Sequence, residues 1–179
     1  VAIVITIKER ISRSMHQEID LVKVHNEALV PGSVLARNLV MLASYIKELQ
    51  VQAHLIHLNY EGSNFIEMHK FLKKRYEKHL CQFDEVGEFV RSMDYMMPIC
   101  ACGLKDALPM DCWKNVDSHD GREMLLTYHQ NLCDLCELVC CIEPMATEIK
   151  ALDVANYMAE LMADANKAAW FIKASLRCS

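Results

Sequence analysis

The chain has 179 residues, 53% hydrophobic and 24% charged, which is enough for one domain with a substantial core. Its net charge of −5, with histidine neutral, argues against coating nucleic acid by bulk charge, although a local basic patch stays open. With only five glycines and four prolines, the composition favours long helices, and no apolar run approaches the ~20 residues of a membrane span.

The opening VAIVITI is too short to cross a membrane and is followed, not preceded, by Lys8 and Arg10, unlike a secretory leader. A cytoplasmic protein is therefore expected. Residues 1–32 read as an N-terminal arm with a short helix carrying Met15, Ile19 and Val22, balanced in charge and closed by Pro31-Gly32. Ser33 is the candidate N-cap of the first long helix, whose stripe is Leu35, Leu39, Leu42, Ile46, Leu49, Ala53 and Ile56. Gly62, Ser63 and Asn64 end it. The second stripe is Phe65, Met68, Leu72, Tyr76, Leu80, Phe83, Val86, Val90 and Met97, with Pro98 and Gly103 as stops. A short helix over GLKDAL and a loop over DCWKNVDSHDG follow. The third stripe is Leu125, Tyr128, Leu132, Leu135, Val139 and Ile142, ended by Pro144; Thr147 is the candidate cap of a fourth carrying Ile149, Leu152, Leu161, Ala165, Ala169, Ile172 and Leu176. The prediction is an all-α four-helix bundle over residues 33–179, with a short extra helix in the long connection between the second and third helices.

Four residues combine into a candidate metal site: His57, His69, Asp84 and Glu88. Asp84 and Glu88 are one turn apart, so both carboxylates leave the same helix face. A tight turn through Gly62 brings His57 and His69 together. His69 and Asp84, however, share one helix fifteen positions apart, or roughly 22 Å along its axis. Metal–ligand bonds are ~2 Å. A straight second helix therefore cannot unite histidines and carboxylates within one chain, whereas two antiparallel copies related by a two-fold axis can. The mixed imidazole and carboxylate set suits a divalent first-row metal such as iron. Taken singly, each residue also has an ordinary reading: an Asp–Glu pair one turn apart is usually a solvated face, and a lone histidine is usually a satisfied side chain.

The whole stretch HLNYEGSNFIEMHKFLKKRYEKHLCQFDEVGEFV resembles the Dps family, the DNA-protecting mini-ferritins of starved bacteria. The positions that carry the likeness are His57, Gly62, Phe65, His69, Asp84 and Glu88, with no gap. AAWFIKASL, with Trp170, resembles the aromatic end of the family, and KALDVAN, with Asp153, the start of its last helix. The likeness runs from Leu35 to Leu176. It implies a ferritin-like bundle assembled as a hollow dodecamer. Ferrous iron would be oxidised, by peroxide in preference to oxygen, at His57, His69, Asp84 and Glu88 shared across a two-fold interface. Ferric mineral would be stored inside, limiting oxidative damage. Asp153 would line a pore that admits iron, and Trp170 would serve as an electron donor.

Several positions depart from the pattern. Lys73 replaces an acid, and an ammonium repels a divalent cation. Leu58 stands for a tryptophan, Phe89 for an arginine and Asn156 for a second acid near the pore. Strong DNA binding, the other family property, is not favoured by the charge-balanced arm, although a DNA-protecting shell with weak iron chemistry is the alternative function. A plain helical-bundle interaction protein is a further one. The nine cysteines are read as reduced, buried thiols. Cys133, Cys136 and Cys140 share one helix face with Cys141 nearby, and soft-metal binding or oxidant scavenging is the alternative there.

Overall fold

The computed structural model describes residues 31–62, 64–108 and 113–178, so the expected arm lies outside the described residues apart from Pro31 and Gly32. Four long helices form the bundle: α1 (Pro31–Asn59), α2 (Phe65–Ser92), α4 (Gly121–Glu148) and α5 (Leu152–Ser175). The short α3 (Ala101–Asp106) lies in the connection between α2 and α4, and a 3-10 turn (Leu176–Cys178) ends the chain. No strand occurs among the described residues. The predicted all-α bundle with its extra helix is the observed architecture.

Two stripes are buried as their spacing requires. All seven predicted positions of α1 and all six of α4 lie in the core. Helix ends differ from the sequence reading, and each difference has a local cause. α1 starts at Pro31, whose fixed φ and missing N–H suit a first turn, so Ser33 falls inside the helix. α2 stops at Ser92, short of Pro98. Asp94 takes φ 71°, and the N–H groups of Asp94 and Tyr95 bond back to the carbonyls of Arg91 (3.0 Å) and Val90 (3.2 Å). The same closure ends α4: Lys150 has φ 64°, and Lys150 and Ala151 donate to Thr147 (3.1 Å) and Ala146 (2.9 Å). Pro144 is therefore inside α4, one turn from its end, where it forfeits a single backbone bond. Thr147 caps nothing; its hydroxyl donates to Glu143 at 2.6 Å. Ile149 lies in the connection, and Leu152 is exposed. α3 sits two residues earlier than expected, capped by the Cys100 sulfur accepting from the Gly103 N–H at 3.3 Å.

The inward row of α2 corrects the sequence reading most. It runs Met68, Leu72, Arg75, His79, Gln82, Val86 and Val90, while Leu80 and Phe65 are exposed. Arg75 donates to both oxygens of Asp164 on α5 (3.0 and 2.8 Å), and the Gln82 amide donates to the same carboxylate at 2.9 Å. His79 lies between the Gln82 carbonyl and the Tyr128 hydroxyl of α4, at 2.7 Å from each. The amide oxygen can only accept, so Nδ1 carries the proton and the phenol donates to Nε2. This chain of bonds joins α2, α4 and α5.

The cysteines also differ from expectation. Among those described, Cys133, Cys136 and Cys141 are half-buried, and Cys81, Cys100, Cys102 and Cys140 are exposed. On α4 the core row is already filled by Tyr128, Leu132, Leu135, Val139 and Ile142, which leaves the thiols off the core row.

Burial, reinforced by the Arg75 charge, pushes His79 down to about 3. Burial pushes the Asp164 carboxyl up, but the Arg75 bonds and charge outweigh it and hold it below its usual range. Below pH 6.5 the unfolded chain protonates His79 and the folded chain does not, so stability must fall on acidification, by up to about 1.4 kcal/mol per pH unit for this one proton. The Asp164 contribution is lost only at lower pH, as pH falls through its depressed folded value. Denaturant titrations of wild type and His79→Gln at pH 7 and pH 5 should show a shallower pH slope in the variant.

Candidate metal centre

His57 is at the end of α1 and His69 at the start of α2, and the turn between them brings the two side chains face to face. The rings stack at 3.7 Å between centroids, inclined by 24°. Each Nδ1 bonds the other residue's main-chain carbonyl: His57 to His69 at 2.8 Å, and His69 to His57 at 3.0 Å. A carbonyl only accepts, so both Nδ1 atoms carry protons and both Nε2 atoms keep a free lone pair. Second-neighbour bonds of this kind are how ligating imidazoles are oriented. Phe65 stacks on His69 at 5.1 Å, Tyr76 stands edge-on to His57 at 5.5 Å, and His54 stacks on Tyr76 at 4.2 Å. The sequence reading missed His54 and Tyr76 as neighbours of the pair. Their signal was modest: His54 is one turn before His57, and Tyr76 is two turns after His69.

Asp84 and Glu88 are both exposed, one turn apart on α2. α2 is one uninterrupted helix from Phe65 to Ser92, so the carboxylates stay roughly 22 Å from the histidines along its axis. Within one chain the four do not meet. Among the described residues no three His, Cys, Asp or Glu side chains are grouped to hold a metal ion.

Lys73, one turn after His69, is exposed and 3.9 Å from Glu77. Leu58 is 65% exposed, in line with the exposed Leu55 and Val51. Phe89 leans on Tyr157 at 5.4 Å. Asp153 and Asn156 are exposed in the first turns of α5. Trp170 is exposed and rests on Phe171 (4.8 Å), which meets Phe71 of α2 at 6.3 Å, so this end of α5 lies beside the histidine end of α2.

The profile of the ferritin-like domain matches residues 42–178. The chain belongs to the ferritin-like family. Solved ferritin-like structures agree with it in fold. A Dps protein from Bacillus brevis has TM-score 0.77 at 19% identity, covering 84% of this chain and 99% of that one. The Dps protein from Vibrio cholerae O1, described as a member of a broad superfamily of ferritin-like diiron-carboxylate proteins, has TM-score 0.74 at 20% identity, covering 82% and 91%. An archaeal Dps homologue from Halobacterium salinarum has TM-score 0.75 at 20% identity, covering 82% and 81%. No curated protein matches the sequence. No helix among the described residues is long and apolar enough to cross a membrane.

In this ferritin-like chain the first residue of α4 packs closely against the turn that follows His57. A Cβ on Gly121, the first residue of α4, would lie 2.7 Å from the Glu61 carbonyl and 2.9 Å from the Tyr60 ring. Neither backbone nor ring can yield cheaply. Gly121→Ala is expected to cost about 1–3 kcal/mol in denaturant unfolding, and to perturb the His57 and His69 ring resonances more than those of His79.

Proposed function

We propose that the protein binds ferrous iron at a site shared by two copies of the chain, oxidises it with hydrogen peroxide in preference to oxygen, and stores the ferric product within a hollow dodecameric shell. It would act in the cytoplasm and limit oxidative damage. The reading rests above all on the histidine pair, whose Nδ1 bonds to main-chain carbonyls leave Nε2 as the ligating nitrogen of each ring. Across a two-fold axis, Asp84 and Glu88 of a second copy supply the anionic half of the donor set. Two imidazoles and two carboxylates fit a divalent first-row ion. The exposed Leu58 and Leu55 beside the histidines and Leu80 beside Asp84 are what a face covered by a second copy requires. Iron here is substrate and cargo: ferrous ions lose electrons, and peroxide takes them up with protons to leave as water. The chain's part is to hold the ion, keep both rings in the ligating tautomer, and balance its charge with the carboxylates. Asp153 would line the pore through which iron passes, and Trp170 would supply an electron.

Lys73 is the residue that does not fit. It adds positive charge one turn from His69 and is only weakly engaged by Glu77. It favours the second reading, a Dps-like shell that protects DNA while its iron chemistry is weak. Retention of DNA that fades steeply with salt would support that reading.

Sharing across the axis has a specific consequence. His57→Ala and Asp84→Ala subunits should each be inactive in ferrous oxidation, yet a mixed assembly should recover about a quarter of wild-type activity, since each hybrid pair keeps one intact site. No recovery on mixing would sink the shared site. Lys73→Asp should raise the oxidation rate on the order of tenfold by reversing the nearby charge, read by stopped-flow absorbance with peroxide. A rate unchanged by that substitution would mean that Lys73 does not face the ion.

A further inference from the structure

Cys133, Cys136 and Cys140 succeed one another at steps of three and four along α4, with His129 one turn earlier. That spacing keeps them on one side of the helix, along the seam where α5 packs. The Cys133 sulfur lies 3.9 Å from His129 Nδ1. The Cys136 thiol points across the seam to Asn166 Oδ1 at 3.5 Å and the Met162 carbonyl at 4.0 Å. Cys133 and Cys136 are half-buried and Cys140 is exposed.

The chemical state of these thiols narrows what they can do. Burial, then Asp134 and Glu137, pushes Cys133 up; burial, then the adjoining Cys133 and Cys140, pushes Cys136 up to about 11. Both are protonated at neutral pH, which disfavours a nucleophile or a fast redox thiolate. A ligand for them must bind sulfur strongly enough to displace protons, as thiophilic metal ions do.

Geometry then selects the metal. Cys133 and Cys140 are seven positions apart, or about 10.5 Å along the axis, so the three sulfurs cannot converge on one ion. Neighbours three apart have Cβ atoms roughly 5–6 Å from each other. Two in-line metal–sulfur bonds of about 2.3 Å span roughly 4.5 Å, within reach of that pair. A two-coordinate, linear site satisfies a soft, closed-shell monovalent ion and leaves zinc, which takes four ligands, incomplete.

We propose that Cys133 and Cys136 form a site for a soft monovalent cation, cuprous ion being the biological example, held as a linear bis-thiolate in the α4–α5 seam. Two metal–sulfur bonds form, both thiol protons leave to solvent, and no oxidation state changes. The complex carries one net negative charge, and Cys133 feels Lys173 and Lys114 as well as the larger opposing effect of Asp134 and Glu137. The site lies on a different helix pair from His57 and His69 and does not rest on the iron reading.

The test is an anaerobic titration of the reduced, full-length protein with cuprous ion in competition with bicinchoninate, together with copper X-ray absorption. Wild type should take one cuprous ion per subunit with a sulfur-only, two-coordinate shell. Cys133→Ser and Cys136→Ser should each lose it, with helicity by circular dichroism confirming that the fold is kept. Cys140→Ser and the His57→Ala/His69→Ala variant should keep it. Four outcomes overturn the proposal: a folded Cys133→Ser/Cys136→Ser protein that competes like wild type, loss in Cys140→Ser, loss in the double histidine variant, or zinc held as tightly as cuprous ion.

Discussion

Arg75 is only 7% exposed and its guanidinium cannot shed its charge inside the protein, so an anion must meet it there. Asp164 does so with both oxygens, and the Gln82 amide, His79 and Tyr128 extend the same chain of bonds. The partners sit on α2, α4 and α5. Turning α2 or α5 by one position would strand a buried charge, a penalty of several kcal/mol, and turning α4 would take the Tyr128 hydroxyl from His79. Apolar rows tolerate small rotations and repacking; this row does not. The facing of three helices therefore follows from one ion pair and the neutral groups that complete it.

The same network bears on where a metal can be held. Inside the bundle, the Asp164 carboxylate is neutralised by a protein cation, and both nitrogens of His79 are engaged. Among the described residues, no group of three metal-ligating side chains is found there. The stacked His57 and His69 are instead at the α1–α2 turn, and the Asp84–Glu88 pair is exposed farther along α2. Under the iron reading, a second copy of the chain is required by helix length alone.

The long connection between α2 and α4 is held by a second polar cluster. The Asn131 amide donates to Gln52 (3.0 Å) and to the Lys114 carbonyl (2.8 Å), and its side-chain Oδ1 accepts from the Lys114 N–H (3.1 Å). Trp113 meets Tyr45 edge-on at 5.3 Å. These contacts satisfy buried amides and fasten an irregular segment to α1 and α4.

Much of this was legible in the sequence because it rests on local periodicity. The α1 and α4 stripes are apolar throughout, so the 3.6-residue repeat identified their buried faces. Helix rise alone separates His69 from Asp84, and the His57 to Glu88 string points to the ferritin-like family. α2 misled because three of its inward positions are Arg75, His79 and Gln82, whose burial depends on Asp164 and Tyr128, distant in sequence. Helix ends misled because Asp94 and Lys150 adopt a left-handed conformation that nothing in their identity demands, while Pro144 is tolerated in a last turn. The reciprocal histidine bonds and the half-open cysteine seam depend on how one helix seats on another. Sequence by itself determined the number, order and apolar faces of the helices, since those follow from spacing along one chain. Tertiary structure decided which polar groups are buried, which lone pairs stay free and which thiols reach solvent, because each is settled by a partner that no local pattern encodes.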